Sequence, residues 1–178
     1  MRKLNARELR SQDPDVKILS KIKKNPIYII LDNVLDTYNV GAIFRLADAV
    51  AARKVFLCGS TETPPNPKIK KASINTWKWV EWEYAESAVK VIKNLKLKIK
   101  NIGVCAIEQH PKSISLQQLK PIFPLAIVVG NETYGVSKEV LQMADVIVEL
   151  PMFGVNKSLN VMVSCGIVLY KVIEGLGS

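Results

Sequence analysis

The chain has 178 residues, of which 48% are hydrophobic and 23% charged, and this suits a single folded domain with a substantial core. Its 25 Lys and Arg residues outnumber its 16 Asp and Glu residues and give a formal net charge of +9. That balance favours a polyanionic partner, nucleic acid before a membrane surface, with solubility alone as the alternative. Three separated cysteines without a CxxC pair, and a single histidine, argue against a zinc site, a redox pair or metal catalysis.

The distribution of apolar residues excludes further classes. No stretch approaches the roughly 18 apolar residues that a membrane-spanning helix needs, and the N-terminus lacks the apolar core of a secretory signal. Cys58, Cys105 and Cys165 lie in apolar surroundings, which is typical of reduced, buried thiols. A cytoplasmic protein with neither a membrane partner nor a bound metal is therefore expected.

The N-terminal region differs in composition from the rest of the chain. Residues 1–26 are predicted to form a basic arm with a short helix, and residues 27–178 a single domain. Within the arm, residues 1–12 are expected to be irregular, and Asp13 is placed to cap the helix.

After the arm, short apolar strands alternate with helical segments. Strands are predicted at 27–31, 54–59, 102–107, 125–130 and 146–151, with a further possible strand at 77–84. Helices are predicted at 39–52, 85–96, 135–144 and 157–174, and an irregular basic loop at 60–75. Unbroken apolar strands that alternate with helices indicate an α/β fold, a parallel sheet covered by helices on both faces.

The usual nucleotide-binding and hydrolase motifs are missing. No GxGxxG sequence follows the first strand, so an ordinary Rossmann-type site has no support. Gly130 and Gly135 have the spacing of a P-loop, but Val136 stands where the phosphate-binding lysine is required. The single histidine, His110, lies in a loop-like segment and makes a Ser/His/Asp triad implausible.

Three segments share another design, in which a strand end is followed by a loop of small and polar residues and then by a helix start. They are residues 35–45, 129–137 and 150–160. Ligands of open α/β sheets bind beyond the carboxyl ends of the strands, so these three loops are expected to converge on one site.

In order and spacing these segments resemble the three motifs of the SpoU (TrmH-like) RNA ribose 2′-O-methyltransferases of the SPOUT superfamily. The family patterns are Asn-x-Gly-x-x-x-Arg, Gly-Asn-Glu-x-x-Gly, and Pro-Met followed by Ser-Leu-Asn. The residues that match are Asn39, Gly41, Arg45, Gly130, Asn131, Glu132, Gly135, Pro151, Met152, Ser158, Leu159 and Asn160. The resemblance extends over roughly residues 27–174.

The resemblance implies a C-terminal trefoil knot, a homodimer, and S-adenosyl-L-methionine bound by the knot loops. The cofactor-binding residues that it implies are Ile107, Glu108, Gly130, Asn131, Leu150, Met152, Ser158 and Leu159. The catalytic residues that it implies are Arg45, Asn39, Glu132, Ser158 and Asn160. No metal site is implied.

The roles of these residues leave alternatives open. Arg45 acts as the base that takes the hydroxyl proton, or it binds the adjacent phosphate and orients the ribose. The second role is favoured because arginine is in general a very poor base. Asn39 and Asn160 bind the ribose or hold the loop of Arg45, and a further alternative for Asn39 is that it is merely a helix cap. Glu132 anchors Arg45 or a neighbouring amide, or is merely a carboxylate favoured by a helix dipole.

The implied substrate is RNA, and two basic clusters are candidates for binding its phosphates. The clusters are Arg2, Lys3, Arg7, Arg10, Lys17, Lys21, Lys23 and Lys24, and then Lys68, Lys70, Lys71 and Lys78. The short region before the first strand favours tRNA over rRNA by analogy. A non-catalytic RNA-binding protein with the same fold is the other alternative. The last helix is apolar nearly all round, which predicts burial against the core and a partner subunit, or within one chain.

Overall fold

The computed structural model describes residues 3–177. The helices are α1 (Ala6–Ser11), α2 (Val16–Leu19), α3 (Thr37–Ala49), α4 (Pro67–Ser73), α5 (Ala88–Lys98), α6 (Lys138–Met143) and α7 (Val161–Glu174). The strands are β1 (Asn25–Asp32), β2 (Ala52–Cys58), β3 (Trp82–Ala85), β4 (Gly103–Ile107), β5 (Ile114–Ser115), β6 (Leu125–Val129) and β7 (Val146–Glu149). Single 3-10 turns lie at Thr76–Lys78 and Leu116–Gln118.

The strands form one parallel sheet of 7 strands in the order β3-β2-β1-β6-β4-β7-β5. Helices α3, α4 and α7 pack on one face, and α5 and α6 on the other. In β6 every residue is buried, which explains its unbroken apolar run. The predicted α/β fold is confirmed, while the trefoil knot that the resemblance implies stays a prediction.

Several predicted elements differ from the structure. Residues 60–75 are not irregular throughout, because Asn66 caps α4 through the backbone N–H groups of Lys68 and Ile69. Asp15 caps α2, whereas Asp13, the predicted cap, forms an ion pair with Lys78.

Other differences concern element boundaries. The segment 77–84 begins as a 3-10 turn, and only its end enters β3. Helix α7 begins at Val161 and not at residue 157, because Asn160 provides the cap. Residues 1–12 were expected to be irregular, but they contain α1, which begins with a capping box between Asn5 and Glu8. Arg2 of the first basic cluster, Met1 and Ser178 lie outside the described residues.

The contact between α3 and α4 accounts for the motif glycine Gly41. A Cβ atom at this position would lie 2.6 Å from the Cβ of Ala72 and 2.8 Å from the carbonyl oxygen of Ile69. Only glycine therefore lets the two helices approach this closely. The close approach places the start of α4 beside the start of α3, next to the first motif loop.

Two further observations bear on the sequence predictions. Within residues 3–177 no helix has both the length and the apolar character needed to cross a bilayer. The thiols of Cys58, Cys105 and Cys165 are free and buried, and burial raises the pKa of each to about 12. Such thiols are poor nucleophiles at neutral pH.

Candidate active site

A cleft opens at the carboxyl ends of the adjacent strands β6, β4 and β7. It contains about 750 Å³ of space free of protein atoms, including its open mouth. Its lining residues are Ile107, Glu108, Gln109, Val129, Gly130, Asn131, Glu132, Thr133, Gly135, Val148, Glu149, Leu150, Ser158, Leu159, Val161 and Ser164. The second and third motif loops therefore meet here. The first loop, which was expected to converge on the same site, does not line the cleft but is joined to it by hydrogen bonds to Glu132.

The predicted cofactor residues lie together with one exception. Seven of the eight line the cleft, namely Ile107, Glu108, Gly130, Asn131, Leu150, Ser158 and Leu159. Met152 instead lines an adjoining depression, which shares Gln109, Glu149 and Leu150 with the cleft.

Of the predicted catalytic residues, Glu132 and Ser158 also line the cleft. Asn39 and Asn160 are joined to Glu132 by side-chain hydrogen bonds. Asn39 Nδ2 donates to Glu132 Oε1 at 2.9 Å, and Asn160 Nδ2 donates to Asn39 Oδ1 at 3.0 Å. Side-chain hydrogen bonds thus link one residue from each of the three motifs in a continuous series.

Glu132 holds the first motif loop in place. Its carboxylate also accepts hydrogen bonds from the backbone N–H groups of Leu35 and Asp36, each at 3.0 Å. Partial burial acts to raise the pKa of Glu132, but the hydrogen bonds from Asn39, Leu35 and Asp36 outweigh it and hold the pKa below its ordinary value of 4.5. The carboxylate is therefore ionised at neutral pH and suited to anchoring the loop.

The alternatives for Asn39 and Glu132 can now be separated. Asp36, and not Asn39, caps α3, because its carboxylate accepts from the backbone N–H of Tyr38 at 2.8 Å. Glu132 anchors backbone and side-chain amides, the second of its predicted partners. Glu132 does not bind Arg45. The Arg45 side chain is exposed on α3 and forms no hydrogen bond or ion pair with any other residue of the described range 3–177.

Polar side chains shape the loop that follows β6. Asn131 Nδ2 donates to the carbonyl oxygen of Asn33, and Asn131 Oδ1 accepts from the N–H of Thr133 at 2.9 Å. Glu108 Oε2 accepts from the N–H of Val136 at 2.8 Å. These contacts tie the ends of β1, β4 and β6 together.

Gly130 begins the tight turn that follows β6. A Cβ atom at Gly130 would lie 2.2 Å from the carbonyl carbon of Gly135 and from the nitrogen of Val136. The glycine is therefore required by the tight turn itself, in which Asn131 and Gly135 exchange backbone hydrogen bonds. Gly135 has a φ of +71°, a second reason for glycine in this loop.

The motifs did not identify several residues of the cleft, including Gln109, Thr133, Glu149 and Ser164. Gln109 and Glu149 lie at the ends of β4 and β7, so their position on the carboxyl edge was a signal that could have found them. Ser164 lies in the first turn of α7, and no sequence pattern marks it.

The cleft has the character expected for an adenosine-containing ligand. Its floor is apolar, with Val129 and Val148, and polar groups of Asn131, Ser158 and Glu149 lie around it. An apolar floor suits a flat purine, while amide, hydroxyl and carboxylate oxygens suit ribose hydroxyls and a positively charged sulfonium. Fold and site together define an α/β protein with a nucleoside-type cleft at the carboxyl edge of its sheet.

Comparisons with known proteins give the family. Residues 26–170 match the SpoU rRNA Methylase family, and the chain belongs to this family. It is 33% identical over 161 residues to the tRNA (guanosine(18)-2′-O)-methyltransferase of Aquifex aeolicus, covering 87% of this chain and 72% of that protein. It is 30% identical over 174 residues to the 23S rRNA (guanosine-2′-O-)-methyltransferase RlmB of Haemophilus influenzae, covering 97% of this chain and 69% of that protein.

A solved structure supports the fold. The SpoU methyltransferase AviRb of Streptomyces viridochromogenes, whose structure is a complex with the cofactor AdoMet, superimposes with a TM-score of 0.78. The alignment covers 92% of this chain and 62% of that one at 21% identity, so it shows a shared fold alone. The chain spans about seven tenths of the length of the two enzymes above.

Proposed function

We propose that this chain transfers the methyl group of S-adenosyl-L-methionine to a ribose 2′-hydroxyl of tRNA. The reaction class is that of its family, so the chain is an RNA ribose 2′-O-methyltransferase. The observation that carries the proposal is the hydrogen-bonded chain from Glu132 through Asn39 to Asn160, because it joins all three motifs beside one cleft. S-adenosyl-L-methionine supplies an activated methyl group on sulfur.

The protein's main task in this reaction is alignment. Transfer of a methyl group is an in-line displacement, so the ribose oxygen, the carbon and the sulfur must be held in a row. Residues of the cleft, including Leu150 and Ser158, hold the cofactor. Asn39 and Glu132 hold the first motif loop, and through it the helix that carries Arg45.

Arg45 acts on the RNA from the surface of α3. A guanidinium binds a phosphate through two parallel hydrogen bonds and so fixes the neighbouring ribose. A guanidinium stays protonated in proteins and is therefore a poor base. Orientation is the proposed role of Arg45, with the proton of the hydroxyl passing to the phosphate or to solvent. The Arg45 side chain has no hydrogen-bond or ion-pair partner within residues 3–177, which agrees with a guanidinium that is available to bind an RNA phosphate.

The enzyme acts as a homodimer in this proposal. Helix α7 buries Cys165, Val168, Leu169 and Val172 against the core, yet Val163, Ile167 and Tyr170 on another face are 39%, 40% and 56% exposed. An apolar stripe at this spacing on a helix suits burial by a second copy. In such a dimer Arg45 of one subunit acts with cofactor held by the other.

The RNA contacts the basic face beside α3. Buried Asn75 donates through Nδ2 to the carbonyl oxygens of Leu9 at 3.2 Å and Arg10 at 3.1 Å, which holds α1 next to α4. The exposed cations of the arm and of α4 therefore form one surface, although they are separated in sequence. A surface of this kind binds the phosphate backbone without regard to sequence.

The assignment of tRNA as the substrate is more specific than the assignment of the reaction class. It rests on the tRNA enzyme of Aquifex aeolicus, which is slightly more similar in sequence than the rRNA enzyme of Haemophilus influenzae. The rRNA alternative stays open because both identities are close to 30%. The site of action in either case is the cytoplasm, where tRNA and ribosomes are modified and where buried thiols stay reduced.

Labelled S-adenosyl-L-methionine tests the activity directly. The protein is incubated with the cofactor and with total tRNA or ribosomal RNA, and the label is mapped to a nucleotide. Label on the ribose of a tRNA nucleotide is expected, label in rRNA alone would move the proposal to rRNA, and label on a base would contradict it. Calorimetry with the cofactor tests the non-catalytic alternative, which predicts no binding.

Substitution of Arg45 tests the mechanism. Arg45→Ala is expected to lower kcat by at least about a hundredfold, because the positioning of the ribose is lost. The melting temperature should not change, since the side chain is exposed and forms no hydrogen bond or ion pair with another residue of the described range. Normal turnover by the variant would show that another residue orients the RNA.

A further inference from the structure

A second cleft lies beside the first motif loop, between the start of α3 and the start of α4. It is lined by Leu35, Tyr38, Glu62, Asn66, Pro67 and Lys68, among others, and none of these is a residue that matches the family patterns. Leu35 and Tyr38 are 53% and 48% exposed, so the cleft presents apolar and aromatic surface to solvent. Exposed aromatic surface beside cationic and anionic side chains is typical of sites that hold unpaired nucleobases.

The second cleft adjoins the cofactor cleft through one side chain. Glu132 lines the first cleft, and its carboxylate binds the backbone N–H groups of Leu35 and Asp36, which line the second. The two clefts therefore share a wall. A ligand in the second cleft lies next to the residues that hold the catalytic loop.

The second cleft also lies on the same face of α3 as Arg45. Tyr38 and Arg45 are both exposed and are seven residues, or two helical turns, apart. At a rise of 1.5 Å per residue their Cα atoms are about 10 Å apart along the helix. A phosphate or ribose at Arg45 and a base at Tyr38 can thus belong to the same stretch of RNA.

The polar side chains of the second cleft are available for a ligand. Glu62 is exposed, and neither it nor the ammonium group of Lys68 forms a hydrogen bond or ion pair within residues 3–177. Asp36 and Asn66 are already occupied, because their side chains cap α3 and α4. The free acceptor is thus the Glu62 carboxylate, and the free cation is Lys68.

We propose that this second cleft binds the base of an unpaired guanosine in the RNA substrate. Tyr38 stacks on the base, and Glu62 accepts two hydrogen bonds from the adjacent N1–H and N2–H groups of guanine. Lys68 binds a neighbouring phosphate. Guanine is selected because it presents two adjacent donors to one carboxylate, and no other standard base has two adjacent donors on its Watson–Crick edge. The inference rests on the proposed RNA methyltransferase function for the identity of the ligand.

A direct binding measurement tests the proposal without requiring turnover. The full chain is titrated with guanosine 5′-monophosphate and with inosine 5′-monophosphate, which lacks the 2-amino group, and binding is followed by NMR. Guanosine monophosphate is expected to bind about tenfold more tightly, since a hydrogen bond to a charged acceptor is lost with inosine. This preference should disappear in Glu62→Gln and persist in the control Glu139→Gln, which changes an exposed carboxylate on α6.

Variants of Tyr38 test the stacking contact. Tyr38→Ala is expected to weaken guanosine monophosphate binding about tenfold, while Tyr38→Phe, which keeps the ring, should bind like the wild type. S-adenosyl-L-methionine binding should be unchanged in both variants. The product of the wild-type reaction should be 2′-O-methylguanosine.

The outcomes of these experiments separate the base site from the enzymatic function. RNA methylation by the wild type with equal binding of the two monophosphates, or with none, would overturn the guanosine site and leave the enzyme intact. The expected nucleotide preference without RNA methylation would support the site and remove the proposed function. Dissociation of a dimer by Tyr38→Ala would assign the cleft to a second copy of the chain and also overturn the proposal.

Discussion

The three motif residues Glu132, Asn39 and Asn160 each have a structural partner as well as a proposed catalytic task. Asn160 shows this combination most clearly, because its Oδ1 accepts from the backbone N–H of Met162 at 2.9 Å while its Nδ2 donates to Asn39. The same side chain therefore caps α7 and joins the third motif to the first. A loss of activity on substitution of such residues has two possible causes, and the variants must be chosen to separate them.

The carboxylate of Glu132 makes stability depend on pH. Its pKa in the folded chain lies below the ordinary 4.5, so its contribution is complete above that value and is lost as the pH falls through the folded-state pKa. Glu132→Gln is expected to lower the free energy of unfolding by about 1 kcal/mol at neutral pH, because an ionised acceptor of three hydrogen bonds is replaced. The difference from the wild type should shrink below pH 4.5.

Chemical denaturation at several pH values measures this effect. Glu62→Gln is the matched control, since Glu62 has no hydrogen-bond partner within residues 3–177 and its replacement should change stability little at any pH. A difference between Glu132→Gln and the wild type that stays constant from neutral to acid pH would show that ionisation of Glu132 does not contribute.

Two substitutions of Asn160 separate capping from the hydrogen bond to Asn39. Asn160→Ala removes both and should cost about 1 kcal/mol of stability. Asn160→Asp keeps a cap acceptor for the N–H of Met162 but has no donor for Asn39 Oδ1, so it should fold like the wild type and still lose most of its turnover. The measurements are thermal melts and kcat on tRNA. Full turnover by Asn160→Asp would show that the residue acts only as a helix cap.

At the scale of the elements, the sequence predicts the long, strongly patterned segments best. Strand β6 and helix α5 were identified because one is an unbroken apolar run and the other has a clear amphipathic period. Helix α4 was missed because several prolines in the preceding stretch favour a loop, although Asn66 and Pro67 are a good helix start. The two-residue strand β5 is too short to leave any pattern.

The candidate site was predicted from its motifs, but its geometry was not. Spacing along the chain shows that Asn39, Glu132 and Asn160 share a pattern, yet it cannot show that they form hydrogen bonds with one another across more than 90 residues of sequence. Nor can spacing show why position 130 must be glycine, because the turn that requires Gly130 is closed by Gly135. Long-range contacts of this kind depend on the strand order, which periodicity does not determine.

The packing of α3 on α4 predicts the effect of a single methyl group. Gly41→Ala places a Cβ atom 2.6 Å from the Cβ of Ala72, and such overpacking should cost about 1–3 kcal/mol although alanine is the better helix former. Gly154→Ala is the matched control, because no atom lies within 4 Å of the added Cβ. Urea denaturation of both variants tests this prediction, and equal stability would show that the two helices separate easily.

At the scale of the whole molecule, the exposed surface divides into regions of different character. The arm and α4 are basic and face an RNA substrate in our proposal, whereas α7 carries the exposed apolar stripe of Val163, Ile167 and Tyr170. Helix α3 lies between them, since it packs against both α4 and α7 and carries Arg45. A second copy bound to α7 would thus lie close to the catalytic helix, and this is why assembly and activity are expected to be lost together.

Disruption of the apolar stripe on α7 tests that coupling. Ile167→Glu is expected to raise the dimer dissociation constant by about a hundredfold or more, because a carboxylate without a partner would be buried in the interface. Ile167 is 40% exposed in the single chain, so the monomer should remain folded and can be examined by sedimentation velocity and circular dichroism. The monomer should also lose methyl transfer, since Arg45 would then be separated from the partner's cofactor.

The control for this experiment is Leu97→Glu on α5. Leu97 is 85% exposed on the opposite side of the sheet, and the same kind of substitution there should leave both assembly and activity unchanged. If Ile167→Glu stays dimeric, the stripe on α7 is not the interface. If it becomes a monomer with full activity, each subunit carries a complete site, and Arg45 must then act on the cofactor cleft of its own chain.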